Sequence, residues 1–155
     1  MVVSTDLSSD VRHRLGALID QDRVGERTFR AAGDSLHEAD LTAMCYGLAH
    51  QHRDFAEELE RVIGQRHHEP LPGSRAQHLR RWWQAMRTRL TLGERVAVLH
   101  ALERIERRTR CQYDDTMRRT PRPELRRLLH RHHRSIRDSH KRLRTLRRRY
   151  AGGSA

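Results

Sequence analysis

Hydrophobic residues recur along this chain at alternating spacings of three and four positions, the period of one face of an α-helix. The pattern predicts a first helix from about Asp6 to Ser35. Its apolar face consists of Val11, Leu15, Leu18, Phe29, Ala32 and Leu36. Ser35 and Glu38 have the spacing of a capping box, which predicts that a second helix begins there.

The second helix carries its own apolar face and ends before a proline-rich loop at Glu69-Pro-Leu-Pro-Gly73. That face consists of Leu41, Cys45, Leu48, Phe55, Leu59 and Val62. Ser74 is then expected to cap a shorter amphipathic segment with Trp82 and Trp83 on one side, which could cover one end of a helical bundle.

Thr91 and Glu94 form a second capping-box pattern, which predicts the start of a third long helix. The segment from Thr120 to Pro123 breaks that helix, and Pro123 suits the first turn of a last helix that reaches Tyr150. We therefore predict one domain over residues 1–150 and a disordered tail over 151–155.

Four long helices of similar length favour an all-α fold. The packing predicted is an antiparallel four-helix bundle, with a short extra helix in the connection between the second and third long helices. A three-helix or extended arrangement is the alternative. The composition, with 35% hydrophobic and 34% charged residues, suits long helices with narrow apolar faces.

Several polar residues occupy positions on these faces where leucine is expected. They are Asp22 and Glu26 on the first helix, His52 on the second, Glu103 and Glu106 on the third long helix, and His132, His133 and His140 on the last. Each group lies near the middle of its helix. In an antiparallel bundle the midpoints stack at one level, so we expect a single polar layer.

The layer has two interpretations. Carboxylates and neutral histidines suit Fe, Mn or Zn, and the candidate metal ligands are Glu26, His52, Glu103, Glu106 and His140. The match to a di-metal site is partial, because Glu103 and Glu106 give Glu-x-x-Glu where Glu-x-x-His is typical. We favour the second interpretation, a hydrogen-bonded network in which acids pair His52, His133 and His140, and Arg110 closes the set.

The formal net charge of +12 points to an anionic partner, and we expect non-specific binding to nucleic acid at low salt. Nearly all the basic residues are arginine, with Lys141 the one lysine. Cys45 and Cys111 form no paired motif, so reduced thiols are expected. No apolar stretch is long enough to insert into a membrane, and we predict a cytoplasmic protein.

The chain resembles an uncharacterised bacterial family of ferritin-like four-helix-bundle proteins, a domain-of-unknown-function family common in proteobacteria. The matching pieces are Leu18-Ile19, Gly25, Phe29-Arg30, Ala31-Ala32, Ala49, Gln51, Phe55-Ala56, Glu58-Leu59, Gly73-Ser74, Leu79, Arg81, Trp83, Glu103-Arg104-x-Glu106, Tyr113, His140 and Leu146-Arg147. The resemblance implies the bundle and its connectivity, and no activity. Arg107 stands where such proteins have an acid, which weighs against a di-iron centre.

We therefore interpret the chain as a non-enzymatic, cytoplasmic bundle with a stress or assembly role and a buried His/Glu layer. No catalytic or organic-cofactor residues are predicted. One alternative is a di-metal carboxylate protein that handles iron, oxygen or peroxide. Another is a basic bundle that associates with nucleic acid. A homodimer is also open, with Trp82 or Trp83 at the interface.

Overall fold

Five α-helices and no β-strands make up the residues that the computed structural model describes, which are 7–64, 73–91 and 94–153. The helices are α1 (Ser9–Ser35), α2 (Ala39–Ile63), α3 (Gly73–Thr91), α4 (Arg95–Arg118) and α5 (Pro123–Gly152). The predicted all-α class is confirmed. The predicted loop at 69–73 lies outside the described residues except for Gly73, which is the first residue of α3.

Both predicted capping boxes are wrong. Ser35 is the last residue of α1, where its hydroxyl donates back to the carbonyl oxygen of Ala31 at 3.1 Å. Glu38 is the residue before α2 and makes no side-chain capping bond; its carboxylate pairs with Arg95 instead. Residue 91 likewise ends α3, and α4 begins at Arg95 without a side-chain cap. Helices α2 and α4 thus begin later along the chain than the two capping boxes indicated.

Helix ends elsewhere follow ordinary capping chemistry. The Ser8 hydroxyl accepts a hydrogen bond from the amide of Val11, which satisfies one free N–H in the first turn of α1. Gly64 follows α2 with a φ of 70°, a left-handed conformation that favours glycine. Pro123 opens α5 as predicted, and that helix runs through Gly152. Residues 154 and 155 lie outside the described part.

Side-chain contacts show that neighbouring long helices run in opposite directions. Arg12, near the start of α1, donates to the carbonyl oxygen of Ile63 at the end of α2 (3.2 Å). Tyr150, near the end of α5, donates to Asp40 at the start of α2 (2.7 Å). Similar contacts join α1 to α4 and α4 to α5. Consequently α1 and α5 run one way, and α2 and α4 run the other.

The third helix links the end of α2 to the start of α4 and packs against both α4 and α1. Met86 is buried there, and Trp82 and Trp83 are partly buried against the same hydrophobic cluster. At 19 residues, α3 is longer than the short connecting helix we predicted. Its tryptophans cover one end of the core, as the sequence suggested.

The hydrophobic core is divided into two clusters by polar residues at mid-height. The cluster near the start of α4 contains Phe29, Ala32, Leu36, Leu41, Cys45, Leu48, Ala49, Met86, Val98, Leu99, Leu102, Leu143 and Leu146. The cluster near the start of α1 contains Val11, Leu15, Leu18, Ile19, Phe55, Ala56, Leu59, Ile63, Tyr113, Leu125, Leu129 and Ile136. Among the described helices, none is long and apolar enough to cross a membrane.

The two serines give a test of these helix ends. Ser8→Ala should lower the free energy of unfolding by about 1 kcal/mol, because it removes the cap of α1. Ser35→Ala should change it by less than about 0.5 kcal/mol, since alanine is the better helix former inside α1. Urea unfolding monitored by circular dichroism measures both. An equal loss in the two variants would show that Ser35 is a cap after all.

Candidate functional site

Three charged side chains from three helices meet in the middle of the core. His52 on α2 lies four residues after Leu48, so the helical period places it on the buried face. Its Nδ1 lies 2.8 Å from Oδ1 of Asp22 on α1, and its Nε2 lies 3.0 Å from Oε2 of Glu106 on α4. All three side chains are fully shielded from solvent. The imidazole therefore bridges two buried carboxylates.

The two carboxylates keep His52 protonated. Burial alone would lower the pKa of His52, but the negative charge of Glu106 and the hydrogen bonds to Asp22 and Glu106 raise it from 6.5 to about 10. An ionised carboxylate can accept hydrogen bonds and cannot donate them. At neutral pH the ring is thus an imidazolium that donates one N–H to each acid.

A tyrosine and a second histidine extend this cluster toward α5. The Tyr113 hydroxyl donates to Oδ2 of Asp22 at 2.5 Å and lies 3.3 Å from Nδ1 of His132. Burial, with the nearby charge of Asp22, raises the pKa of Tyr113 well above 10, so the phenol stays protonated. Nε2 of His132 lies 3.3 Å from Glu58, which also pairs with Arg131 at the surface. We call Asp22, His52, Glu106, Tyr113, His132 and Glu58 the buried network.

The second histidine of the network carries no charge at neutral pH. Burial lowers the pKa of His132, although the hydrogen bond and charge of Glu58 oppose the change. A neutral ring can donate to one of its two oxygen neighbours at a time. The network therefore contains one histidine cation, at His52, and one neutral histidine.

Aromatic rings and one glycine hold His52 in place. The Phe29 ring stacks on His52 with an interplanar angle of 6°, and Phe55 stacks on His132 with ring centres 3.9 Å apart. His52 also lies against the backbone of α1 at Gly25. A Cβ atom added to Gly25 would be 2.9 Å from Cγ of His52, which is too close for an ordinary contact. Gly25 therefore makes room for the imidazolium.

Glu103 and His140 form a separate cluster, one helical turn before Glu106 on α4. Glu103 accepts hydrogen bonds from Arg144 (3.2 Å) and Arg147 (2.6 Å), and Nε2 of His140 lies 3.5 Å away. Burial would raise the pKa of Glu103, but the two arginines lower it below its usual value. Burial, together with the charges of Arg110 and Arg144, lowers the pKa of His140. Arginines thus neutralise this acid.

The predicted ligand Glu26 belongs to a third cluster, between α1 and α2. Its carboxylate accepts hydrogen bonds from Arg23 and Arg30, both at 3.1 Å, and Arg23 also pairs with Glu60 at 3.2 Å. The side chain is close to fully buried. Glu26 is therefore held by guanidinium groups and bonds to no histidine.

The five predicted metal ligands are thus placed in three clusters. They are His52 with Glu106, His140 with Glu103, and Glu26 with its arginines. Over the described ranges, no group of three or more His, Cys, Asp or Glu residues is arranged to hold a metal ion. Cys45 is buried, Cys111 is exposed, and both are free thiols; burial raises the pKa of Cys45 to about 12.

The predicted hydrogen-bonded network is correct in its centre and wrong at its edges. His52 is paired by Asp22 and Glu106 as expected. However, the fully buried histidine of α5 is His132, and the neighbouring His133 is half-buried. His140 lies 3.5 Å from Glu103, in the expected pairing. Within the described residues, the predicted closing residue Arg110 donates no hydrogen bond to these acids, and two arginines of α5 bind Glu103 instead. His132 and His133 are one residue apart, which is about 100° around the helix, so the rotation of α5 about its axis decides which of them faces the core.

Sequence reasoning missed the roles of Tyr113 and Glu58. Tyr113 has the spacing of an apolar-face residue, and its ring packs in the hydrophobic core. The signal for its second role was its hydroxyl, because a buried tyrosine needs a hydrogen-bond partner. It lies seven residues after Glu106 on the same face, within reach of the charged layer.

The raised pKa of His52 predicts a pH-dependent stability. Its stabilising effect is full below the unfolded value of 6.5 and is lost as the pH rises through about 10. Near pH 8 the folded state holds one proton more than the unfolded state. His52 should therefore lower the free energy of unfolding by about 1.4 kcal/mol per pH unit between about pH 7.5 and 8.5. The thiol of Cys45, whose pKa burial raises, acts in the same direction, so the contribution of His52 is the difference in slope from a variant that lacks it.

Urea unfolding at several pH values measures this slope, with His52→Gln as the control. The variant should be less stable at neutral pH by roughly 3–5 kcal/mol, because two buried acids lose their cation. Its slope should be flatter than that of the wild type by about one proton. Parallel slopes in the two proteins would mean that His52 is neutral when folded.

Two glycine substitutions test the contact between α1 and His52. Gly25→Ala should destabilise the protein by about 1–2 kcal/mol, since overpacking against the ring outweighs the gain in helix propensity. Gly47 in α2 has no atoms within 4 Å of an added Cβ, so Gly47→Ala should stabilise by roughly 0.5–1 kcal/mol. Thermal unfolding compares them. The idea fails if both alanines stabilise the protein equally.

Comparison with known proteins identifies the family. The model of the family described as "Domain of unknown function (DUF2383)" matches residues 10–119, which is more than half of the chain. The match spans α1 to α4 and includes His52 with both of its carboxylate partners. No curated protein matches the chain. The resemblance to a domain-of-unknown-function family is therefore confirmed, and the chain belongs to the DUF2383 family.

Proposed function

We propose that this protein is a ferritin-like four-helix bundle of the cytoplasm that acts by binding other molecules, in an assembly or stress role, and not by catalysis. The antiparallel contacts among α1, α2, α4 and α5 support the bundle. The long connection through α3, between two helices that run in the same direction, is the arrangement found in ferritin-like folds. Fold alone assigns no activity, so the argument against catalysis comes from the polar clusters.

This proposal rests on one observation: the buried charged groups form hydrogen bonds with other side chains of the fold. In Asp22, Glu26 and Glu103, both carboxylate oxygens have hydrogen-bond partners. Oε1 of Glu106 is the one oxygen of these four acids without a partner among the described residues. Groups that bond to one another in this way fix the register of the helices, as buried polar layers do in other helical assemblies.

The alternative of a di-metal centre does not fit these residues. Histidine ligates metal through a neutral nitrogen, whereas His52 donates both N–H groups to carboxylates. Glu26 and Glu103 are bound by arginines, which a metal would have to displace. The remaining oxygen of Glu106 supplies one ligand, and a protein metal site needs three or more. We therefore assign the clusters a structural role.

The metal content of the purified protein tests this role. We expect less than about 0.1 metal ion per chain after incubation with Fe(II), Mn(II) or Zn(II) and removal of the excess, in the wild type and in Glu106→Ala/His140→Ala alike. The variant should lose roughly 3–5 kcal/mol of stability, because His52 then lacks one acid. Glu106→Gln keeps the shape of the side chain and should lose less.

One result would overturn the proposal. If the wild type holds near-stoichiometric metal, and the double variant folds but loses it, the clusters are a metal site and the protein is a metal-handling one. Equal metal in wild type and variant would place the ion elsewhere, at histidines outside the network, and would leave the structural role intact.

A further inference from the structure

The positive charge of this chain is distributed unevenly among its helices. The sequence of α5 contains eleven basic and two acidic residues, which gives a net charge of +9. In contrast, α2 contains two basic and five acidic residues, a net charge of −3. The net charge of the described part of the molecule is therefore unevenly distributed, and α5 is its most basic helix. Helix α3 contains five arginines and no acidic residue, a net charge of +5, so α5 has the largest net charge of the described helices.

Four cations of α5 form a straight series along its outer surface. They are Arg127, Arg134, Lys141 and Arg148, which we call the basic line. All four side chains are exposed. They are seven residues apart, so they lie on one side of the helix at intervals of about 10 Å and together span about 30 Å.

The charged groups of the basic line are not used by the fold. Within the described chain, no ion pair or hydrogen bond engages them. Their neighbours on the inner edges of α5 differ: Arg131 pairs with Glu58, and Arg144 and Arg147 pair with Glu103. The acids of the molecule thus pair with the cations next to the core, while the cations of the basic line stay uncompensated. Of the other exposed cations of α5, Arg137 lies 3.8 Å from Asp138 and Arg149 lies 3.9 Å from Asp40.

The adjoining surface of α4 adds to this positive potential. Burial is the main cause that lowers the pKa of His133. The charges of Arg110 on α4 and Arg137 on α5 lower it further, while the charge of Asp114 acts in the opposite direction. Arg110 and Arg144 act on His140 in the same direction. The basic region therefore extends beyond one row of side chains into the edge that α5 shares with α4.

The shape and composition of this region indicate what it binds. A rigid row of cations about 30 Å long matches an extended polyanion with regularly spaced charges, such as a nucleic-acid backbone. Within the described residues, Tyr46 on α2 is the one exposed large hydrophobic side chain, and it is not on α5. The region thus lacks the aromatic groups that stack on single-stranded bases. It also lacks the apolar groups that insert into membranes.

We propose that the basic line of α5 binds the phosphate backbone of duplex nucleic acid without regard to its sequence. This inference rests on the proposed binding role and names its partner. Arginine and lysine would pair with phosphate oxygens and release counterions from the duplex. Sequence-independent binding is expected because phosphate contacts position a protein on the duplex, whereas contacts with base edges specify sequence.

Two variants of equal net charge separate this proposal from general attraction. The test variant is Arg134→Gln/Lys141→Gln/Arg148→Gln. The control is Arg27→Gln/Arg53→Gln/Arg61→Gln, which removes three partly or fully exposed arginines from α1 and α2. Arg53 and Arg61 take part in exposed ion pairs that contribute little to stability, so both variants should fold like the wild type.

Fluorescence anisotropy with two unrelated DNA duplexes of about 20 base pairs, from about 50 to 200 mM salt, measures the affinity. The wild type should bind both duplexes within about twofold of each other. The test variant should bind roughly tenfold more weakly, and the slope of log K against log salt should flatten by about 2 to 3. The control should stay within about twofold of the wild type.

Three outcomes would overturn the proposal. An equal loss in the control would show that net charge alone attracts DNA. Binding to vesicles that contain anionic lipid, with no binding to duplex, would assign the basic line to a membrane surface. No binding to either would show that the line is a solvated surface. In that last case a metal-free wild type would still leave the structural role of the buried network standing.

Discussion

The structure depends on one buried cation between two buried anions. His52, Asp22 and Glu106 come from three helices and have no access to water. Moving a charged side chain out of water costs several kcal/mol, so each of the three is stable there because the others are present. Each depends on the position of its partners, and a shift of one helix along another would leave an unpaired charge in the core.

This requirement explains neighbouring features of the fold. The charged layer divides the hydrophobic core into two clusters, each of which contains residues of all four long helices. Gly25 and Phe29 enclose the imidazolium, and Tyr113 satisfies the second oxygen of Asp22. Because the interior charges are paired in this way, they are not available to a partner. A partner would contact the surface, where α5 has the largest positive charge.

Much of this could be predicted from sequence, because a helix converts spacing into direction. The spacing of Leu48, His52 and Phe55 is enough to predict that the histidine lies in the core. The choice between His132 and His133 depends on the rotation of α5 by one position, which local spacing does not determine. The arginines on Glu103 and Glu26 were missed because long side chains reach sideways from the surface to a buried acid. That reach turned expected metal ligands into ion pairs.

The protonation state of His52 is the most direct measure of this account. Long-range ¹H–¹⁵N correlation spectra report whether each ring nitrogen carries a proton, and the His52 signals are identified by their loss in His52→Gln. At about pH 8, above the usual pKa of histidine, both nitrogens of His52 should be protonated, whereas His132, whose pKa burial lowers, should show a neutral ring. A His52 ring with one bare nitrogen at that pH would contradict the central claim.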